Sequence, residues 1–206
     1  MVATADCPAL CFDTLIHHLD GANGRTPAAA DRRRLPDGQF PLFVTWKKRD
    51  DGGSYRLRGC IGTFAPQILT DGLRKYSLTS ALNDRRFSPV GRFEVADLHC
   101  AVSLLVGFEP ARHVYDWDIG RHGITIDFND PDSLGVTLSA TYLPEVCREQ
   151  GWDHRQCIDS LMAKAGYRGR SSERLRQSIR VTRYLSSKAS LSYDEYVRLA
   201  AGADDA

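Results

Sequence analysis

The sequence predicts a mixed α+β protein whose sheet is mostly antiparallel. Two observations predict this class: strand-like runs occur in pairs joined by turns, and helix-like periodicity occurs near both ends and in the middle of the chain. A third observation concerns domain organisation. The 206 residues suffice for one domain or two closely packed ones, and no linker-like stretch divides them.

The first part of the chain predicts a helix, a hairpin and a second helix. Apolar residues within 10–19 recur at helical spacing, and Gly21 ends this helix. The aromatic and β-branched run 40–46, followed by a turn and the run 54–64, predicts a hairpin. Residues 66–82 then regain the helical pattern, with Pro66 in the first turn.

The second part predicts a central strand, another hairpin and further helices. Residues 98–108 are nearly continuously apolar, which is typical of a strand buried on both faces. Runs at 122–128 and 134–138 flank a turn and predict paired strands. The remaining predicted elements are two helices, a strand and a closing helix, at 144–150, 154–166, 178–184 and 193–201.

Composition argues against several classes of protein. The net charge of +1 gives no basic field for nucleic acid, and no apolar run approaches the roughly 20 residues of a membrane span. The N-terminus lacks a signal-peptide pattern, so we expect a cytoplasmic or nuclear protein whose six cysteines are reduced. Residues 21–38 are rich in Gly, Pro and Ala, and predict a mobile surface loop.

The most unusual local sequence is LRGCIGT, residues 57–63. Gly59 and Gly62 interrupt a good strand, and such glycines mark a bulge or the close approach of a ligand or another backbone. Arg58 and Cys60 share one face of this strand, and the arginine's charge favours a thiolate. Cys60 is therefore a candidate nucleophile; the alternative is a small buried residue between packing glycines.

A nucleophilic cysteine needs a base, and His122 is the best candidate because it also stands beside glycines at the start of a strand. Arg85 and Arg86 follow a predicted helix and could clamp a carboxylate or phosphate, although basic residues at a helix C-terminus also have a structural reason. Cysteine and histidine spacings match no metal motif, and no phosphate-binding glycine loop occurs. We therefore predict neither a metal nor another cofactor.

Several segments, taken together, resemble the AMMECR family over nearly the whole chain. They are LRGCIGTF (57–64), YSLTSALNDRRFSPV (76–90), CAVSLLVGFE (100–109), HGITID (122–127), ATYLPEVCREQGW (140–152) and IDSLMAKAGY (158–167). The resemblance implies one domain, residues 7–200, with short tails at 1–6 and 201–206. It further implies a larger lobe around an antiparallel sheet with flanking helices, a smaller lobe, and the LRGCIG segment near the cleft between them.

The family resemblance implies no reaction, although archaeal relatives are associated with dioxygenase-like and radical-SAM-type proteins. The first hypothesis is an enzyme or enzyme-derived protein with Cys60 as nucleophile and His122 as base. Its candidate ligand-binding residues are Arg58, Gly59, Gly62, Thr63, Thr79, Ser80 and Arg85.

Two other hypotheses remain open. One is a non-catalytic interaction or regulatory module that uses an exposed segment at 83–89 or 142–144, with Tyr142 and Trp152 as possible anchors. The other is a nucleic-acid-associated protein, which the net charge disfavours without excluding. The expected partner is a small molecule or a protein, and no membrane association is predicted.

Overall fold

The computed structural model describes residues 2–21, 34–131, 133 and 135–202, so residues 22–33 of the predicted loop lie outside the described residues. The helices are α1 (Asp6–Leu19), α2 (Leu69–Leu82), α3 (Pro144–Glu149), α4 (His154–Lys164), α5 (Glu173–Gln177) and α6 (Tyr193–Gly202), and a 3-10 helix covers Arg92–Asp97. The strands are β1 (Gln39–Arg49), β2 (Tyr55–Ile68), β3 (Leu98–Pro110), β4 (Gly123–Asn129), β5 (Thr137–Tyr142) and β6 (Arg180–Ser192).

The strands form one sheet in the order β2-β1-β3-β6-β4-β5. β1 pairs antiparallel with β2 and β3, and β4 pairs antiparallel with β5 and β6. This arrangement confirms the predicted α+β class. The chain divides into two compact units: the first holds the described residues up to Leu104 and from Ser187 onward, and the second is Leu105–Ser186.

The core of the first unit lies between its helices and one face of its strands. Alternate residues of β1, namely Leu42, Val44 and Trp46, are buried there, as strand geometry requires when helices cover a single face. The ring of Phe12 from α1 meets Trp46 edge-on at 5.0 Å, and the indole N–H of Trp46 donates to the Ser77 carbonyl of α2 at 3.0 Å. Both helices are thereby fixed on β1.

The opposite face of these strands is half-exposed. On β3, Cys100, Val102 and Leu104 are buried, whereas His99, Ala101 and Ser103 are only half-buried. The prediction that this strand is buried on both faces is therefore wrong, because α1 and α2 pack on one face. Because residues 98–108 are nearly all apolar, the sequence does not show this alternation of buried and half-buried positions along β3.

The second unit has its own core. Ile124, Ile126 and Phe128 of β4 are buried with Ile158 and Leu161 of α4. Helix α4 begins with a capping box, in which Asp153 accepts from the backbone N–H of Gln156 while the Gln156 side chain accepts from that of Asp153. The apolar face of α4 and its capped start explain why the sequence predicted this helix closely.

A disulfide in the second unit corrects the expectation of six reduced thiols. Cys147 of α3 is bonded to Cys157 of α4, with their Cα atoms 6.0 Å apart. Both helices belong to the same buried cluster, and this packing brings the two residues within bridging distance. Among the described cysteines, Cys7, Cys11, Cys60 and Cys100 are free.

Several predicted boundaries also change. Strand β2 continues to Ile68 and α2 begins at Leu69, because β2 pairs with β1 again after an irregularity that accommodates Pro66. Strand β5 covers residues 137–142 rather than 134–138, and β6 continues eight residues beyond the predicted end at Tyr184, to Ser192. The predicted domain limits at residues 7 and 200 stay a prediction.

Candidate functional site

The candidate residues from the sequence fall into both units. Arg58 to Thr63 lie on β2, Thr79 and Ser80 on α2, and Arg85 in the segment after α2, all in the first unit. His122 directly precedes β4 in the second unit. The pairing of Cys60 with His122 stays a prediction.

The Cys60 thiol lies on the half-exposed face of the first unit. Cys60 pairs with Thr45 across β1 and β2, and the Thr45 hydroxyl donates a hydrogen bond to Cys60 Sγ at 3.2 Å. Of the four free cysteines described, Cys60 is half-buried and the other three are buried. Burial raises the pKa of the Cys7 and Cys100 thiols, which disfavours their thiolates.

The main chain at Cys60 is held by two side chains from the segment after α2. The Cys60 N–H donates to Asp84 Oδ2 at 2.9 Å, and Arg86 Nη2 donates to the Cys60 carbonyl at 3.1 Å. Because β2 is the outer strand of the sheet, these side chains satisfy backbone groups at an edge. The position of the thiol is fixed by contacts on both sides of the strand.

Asp84 and Arg86 also form an ion pair. Arg86 donates from Nε to Asp84 Oδ1 at 2.9 Å and from Nη2 to Oδ2 at 2.6 Å, and the Asp84 side chain is only 4% exposed. The Arg86 hydrogen bonds, helped by the N–H of Cys60, hold the pKa of Asp84 well below its usual range. Asp84 raises the pKa of Arg86 in return, and the negative charge of a Cys60 thiolate adds a smaller effect in the same direction. The ion pair therefore lies directly beside Cys60, with Asp84 on its N–H and Arg86 on its carbonyl.

Arg58 is engaged within the first unit. Its side chain is 12% exposed, and it donates from Nε and Nη2 to the two Glu94 carboxylate oxygens at 2.8 and 3.2 Å. It also donates to the carbonyls of Ser88 and Pro89 at 2.7 and 3.3 Å. Burial alone would raise the pKa of Glu94, but the hydrogen bonds and charge of Arg58 lower it. These contacts join β2 to the segment that carries Asp84 and Arg86.

The two motif glycines allow close packing. A Cβ atom at Gly59 would lie 2.0 Å from the Ser80 carbonyl oxygen of α2, and one at Gly62 would lie 2.2 Å from the Leu42 carbonyl oxygen and 2.4 Å from the Phe43 ring. The prediction that these glycines mark close approach of another backbone is confirmed. A register irregularity between Trp46 and Lys47 also lies opposite this part of β2.

The remaining polar candidates of the first unit have local contacts or none. Thr63 Oγ1 accepts from the Ala65 N–H at 3.0 Å. Thr79 and Ser80 donate their hydroxyls to carbonyls one turn earlier in α2, at 2.8 and 2.6 Å. Arg85 is exposed and makes no hydrogen bond or ion pair with another described residue. The ligand-binding roles of these residues stay predictions.

The His122 side chain forms a hydrogen bond within the turn that precedes β4. Its side chain is 10% exposed, and Nδ1 accepts from the Asp118 N–H at 2.9 Å. Burial lowers the pKa of His122, so the imidazole is held in its neutral form. Because Nδ1 accepts, the proton sits on Nε2, and a role as base at Nδ1 requires the Asp118 bond to break.

Sequence reasoning missed Thr45 and two aromatic residues on the Cys60 face. Phe43 and Phe64 have ring centroids 5.1 Å apart, and Phe43 pairs with Gly62. Alternation along β1 could have placed Phe43 and Thr45 on one face, but the pairing register of the hairpin was needed to match Thr45 with Cys60. Asp84 was visible only as part of a polar cluster.

Within the described ranges, no three His, Cys, Asp or Glu side chains converge in a way that could hold a metal ion. None of the helices in the described part of the chain combines the length and the apolar character needed to span a membrane.

Relatives of this chain occur in eukaryotes and archaea. The chain is 46% identical over 195 residues to an uncharacterised protein of Arabidopsis thaliana, covering 95% of this chain and 88% of that protein. An uncharacterised protein of Saccharomyces cerevisiae is 38% identical over 213 residues, covering 90% and 84%. A protein of Methanococcus aeolicus is 33% identical over 140 residues, covering 65% and 64%.

A solved structure has the same fold. The crystal structure of an uncharacterised protein from Pyrococcus horikoshii matches with a TM-score of 0.66 at 23% identity, covering 92% of this chain and 91% of that one. The relatives are uncharacterised, so they leave the biochemical role undetermined. The AMMECR1 family model matches residues 8–189, and the chain therefore belongs to the AMMECR1 family.

Proposed function

We propose that this protein is an enzyme, or derives from one, whose reactive group is the Cys60 thiol. The observation that carries the proposal is the contrast among the free cysteines described: Cys60 is half-buried on an open sheet face, and Cys7, Cys11 and Cys100 are buried. A thiol that reacts with a substrate must be reachable, and a structural cysteine need not be.

The surroundings of Cys60 support a nucleophilic role. The Thr45 hydroxyl points its proton at the sulfur, and a hydrogen bond to the charged form of a group favours that form. The Asp84–Arg86 ion pair holds the main chain of Cys60 in place on both its N–H and its carbonyl. The Phe43 and Phe64 rings supply an apolar surface on the same face, which suits a substrate with an apolar part beside its electrophilic carbon.

The roles of the other candidates follow from their contacts. Arg58 contacts the segment of Asp84 and Arg86 through the carbonyls of Ser88 and Pro89, while Glu94 holds the Arg58 side chain, so Arg58 is a positioning residue in this proposal. His122 remains the candidate base, although the described tautomer presents a hydrogen-bond donor at Nε2. The proposed partner is a small electrophilic molecule. The proposed location stays the cytoplasm or nucleus, because four of the described cysteines are free; the Cys147–Cys157 disulfide departs from the pattern of reducing compartments.

The rate of Cys60 alkylation tests the proposal. Native protein is treated with iodoacetamide at pH 7, and the extent of modification of each cysteine is followed by peptide mass spectrometry. We expect Cys60 to react faster than in the urea-unfolded protein, and Cys7, Cys11 and Cys100 to be protected. Cys60 reacting no faster in the folded than in the unfolded protein would contradict the proposal.

Matched variants separate reactivity from accessibility. Thr45→Val keeps the shape and removes the donor, so we expect Cys60 alkylation to slow by about tenfold, equivalent to one hydrogen bond to a charged group. Thr45→Ser keeps the hydroxyl and should retain most of the rate. Equal rates in the two variants would show that Thr45 does not activate the thiol.

The second candidate function is a non-catalytic interaction module. Two exposed side chains favour it: Phe93 is 83% exposed, and Arg85 is exposed without an ionic partner among the described residues. Tyr142 and Trp152, by contrast, are partly buried against the second core and make poorer anchors. In a pull-down, loss of partners with Arg85→Glu but not with Cys60→Ala would favour the module over the enzyme.

A further inference from the structure

The second unit contains a pocket that the Cys60 proposal does not use. Its volume is about 490 Å³, and it is lined by Tyr115, Asp153, His154, Arg155 and Glu173. This volume falls within the range of small-molecule sites. The residues come from three segments: the loop before β4, the start of α4 and the start of α5.

Aromatic side chains form one wall of the pocket. The His154 ring lies 4.6 Å from the Trp117 ring and 6.5 Å from the Tyr115 ring, measured between centroids. His154 Nε2 bonds the Trp117 carbonyl at 2.8 Å, and because a carbonyl only accepts, Nε2 carries a proton. This bond fixes the imidazole, so the wall is preformed.

The two acidic residues of the pocket are already engaged. Glu173 accepts hydrogen bonds from Gln177 at 2.9 Å, from Arg176 at 3.1 Å and from the Tyr115 hydroxyl at 3.2 Å, and these bonds, that of Gln177 above all, lower its pKa. Asp153 caps α4 by accepting from the Gln156 N–H at 2.7 Å. Both carboxylates have donors within the unit, so neither needs a ligand to satisfy it.

Arg155 differs from these acids. It lines the pocket, is exposed, and makes no hydrogen bond or ion pair with any other residue that the structure describes. It lies near Tyr115: burial raises the pKa of that phenol, and the charge of Arg155 acts in the opposite direction. The unused hydrogen-bond donors of the pocket therefore belong to Arg155.

We propose that this pocket binds a small aromatic carboxylate, with its ring against Tyr115 and His154 and its carboxylate on Arg155. The planar guanidinium matches a carboxylate through two parallel hydrogen bonds. A dianionic phosphate fits less well, because Asp153 and Glu173 lie in the same pocket and one arginine balances one charge. A cation fits less well because both carboxylates already have donors. The proposal is independent of Cys60.

The test uses 2-naphthoate as the probe with the full-length protein. Amide chemical shifts are recorded by NMR as 2-naphthoate is added, together with its uncharged analogue 2-naphthalenemethanol, its cationic analogue 2-naphthylmethylamine and 2-naphthyl phosphate. We expect saturable shifts at Tyr115 and residues 153–155, and binding of each analogue at least about tenfold weaker, a difference of about 1.4 kcal/mol.

Variants then assign the contacts. Arg155→Gln should weaken 2-naphthoate binding at least about tenfold, and Tyr115→Ala should weaken it as well through loss of the ring. Arg168→Gln, a matched charge change at an exposed arginine of the same unit, should leave binding within about twofold. Unchanged amide spectra outside the pocket verify that each variant is folded.

Three outcomes would overturn the proposal: no saturable shift with 2-naphthoate, equal binding of the uncharged alcohol, or tighter binding of the amine or the phosphate. Equal weakening by Arg155→Gln and Arg168→Gln would also overturn it, because the effect would then be one of net charge. Alkylation of Cys60 is measured separately, so failure here is distinguishable from failure of the Cys60 proposal.

Discussion

Two glycine-flanked positions, Cys60 in the first unit and His122 in the second, look alike in the sequence but differ in the structure. Gly59 and Gly123, the neighbouring glycines, both allow close packing: a Cβ atom would lie 2.0 Å from the Ser80 carbonyl oxygen in one case and 2.3 Å from the Tyr184 ring in the other. In both places the glycine is required because another group occupies the space of a side chain.

The side chains next to these glycines have different environments. The Cys60 thiol is half-exposed and receives a hydrogen bond from Thr45, whereas the His122 imidazole is 10% exposed and its Nδ1 is bonded to the Asp118 N–H. A glycine beside a reactive residue therefore indicates tight backbone packing. It does not by itself indicate that the reactive group is available.

The largest expected effect is that of Gly59→Ala. The new methyl group would overlap a backbone carbonyl of α2, so we expect the free energy of unfolding to fall by about 3 kcal/mol or more. Gly123→Ala should cost less, about 2 kcal/mol, because its obstacle is a side-chain ring. Urea denaturation measures both.

Gly52→Ala is the control for these variants, since a Cβ atom at Gly52 would meet nothing closer than 3.4 Å. If Gly59→Ala were as stable as Gly52→Ala, close packing at Gly59 would not be the reason that a glycine is required there.

The next largest loss of stability is expected for Asp84→Ala. The change leaves the Cys60 N–H without its acceptor and Arg86 without its ion-pair partner, so we expect a loss of about 3 kcal/mol at pH 7. Asp97→Ala removes an exposed ion pair with Arg49 and should change stability little. Calorimetric or urea unfolding of the two variants compares a buried carboxylate with an exposed one.

The loss of stability in Asp84→Ala should also depend on pH. The pKa of Asp84 is lowered in the folded protein, so its contribution is fully present above the unfolded value of about 3.9 and is lost as pH falls from there toward the folded pKa. The difference between wild type and Asp84→Ala should therefore shrink below about pH 4. A difference that is constant from neutral to acidic pH would show that the carboxylate charge is not responsible.

Reduction of the Cys147–Cys157 bridge should have a somewhat smaller effect. The two residues are 10 apart in sequence, and closing a loop of this length stabilises a protein by about 2 to 3 kcal/mol. We expect dithiothreitol to lower the Tm of the wild type but not that of a Cys147→Ser, Cys157→Ser double variant. No Tm change in the wild type, together with alkylation of both residues without reductant, would mean that the bridge is absent in solution.

The smallest expected effect on the free energy of unfolding comes from the protonation of His122. Burial lowers its folded pKa below the unfolded value of about 6.5, so the unfolded state binds the proton first as pH falls. Stability is thus complete above about pH 6.5 and decreases as pH drops toward the folded pKa. NMR titration should show His122 protonating at a pH below the unfolded value of about 6.5. Protonation of His122 at or above that value would contradict burial as the dominant cause.

Much of the fold was predictable because its signals are local. Periodic apolar residues in α1 and α4, the aromatic and β-branched run in β1, and the strand-like run in β4 identified these elements within a few residues of their observed bounds. The start of α2 was predicted three residues early because Pro66 suits a helix start in isolation. In the structure, Pro66 falls where the pairing of β2 with β1 is irregular.

The candidate site was predictable only in part. The LRGCIG segment drew attention to Cys60, but its contacts come from residues far along the chain: Thr45 is 15 residues away and Asp84 is 24. Arg86 was considered as a clamp for a ligand's carboxylate, and in the structure it binds the carboxylate of Asp84. A local sequence pattern shows which side chains can form such bonds. It does not show whether their partner in the folded protein is another residue or a ligand.

The sequence by itself determined the α+β class, the order of most elements and the position of an unusual glycine-flanked cysteine, because propensity, periodicity and steric demand act over a few residues. Only the tertiary structure decided that β3 has one open face, that Cys147 bonds Cys157, and that Cys60 is the half-exposed member of the free cysteines described. These features depend on which surfaces pack together. Packing brings residues that are distant in the sequence into contact, and no local sequence pattern shows which residues those are.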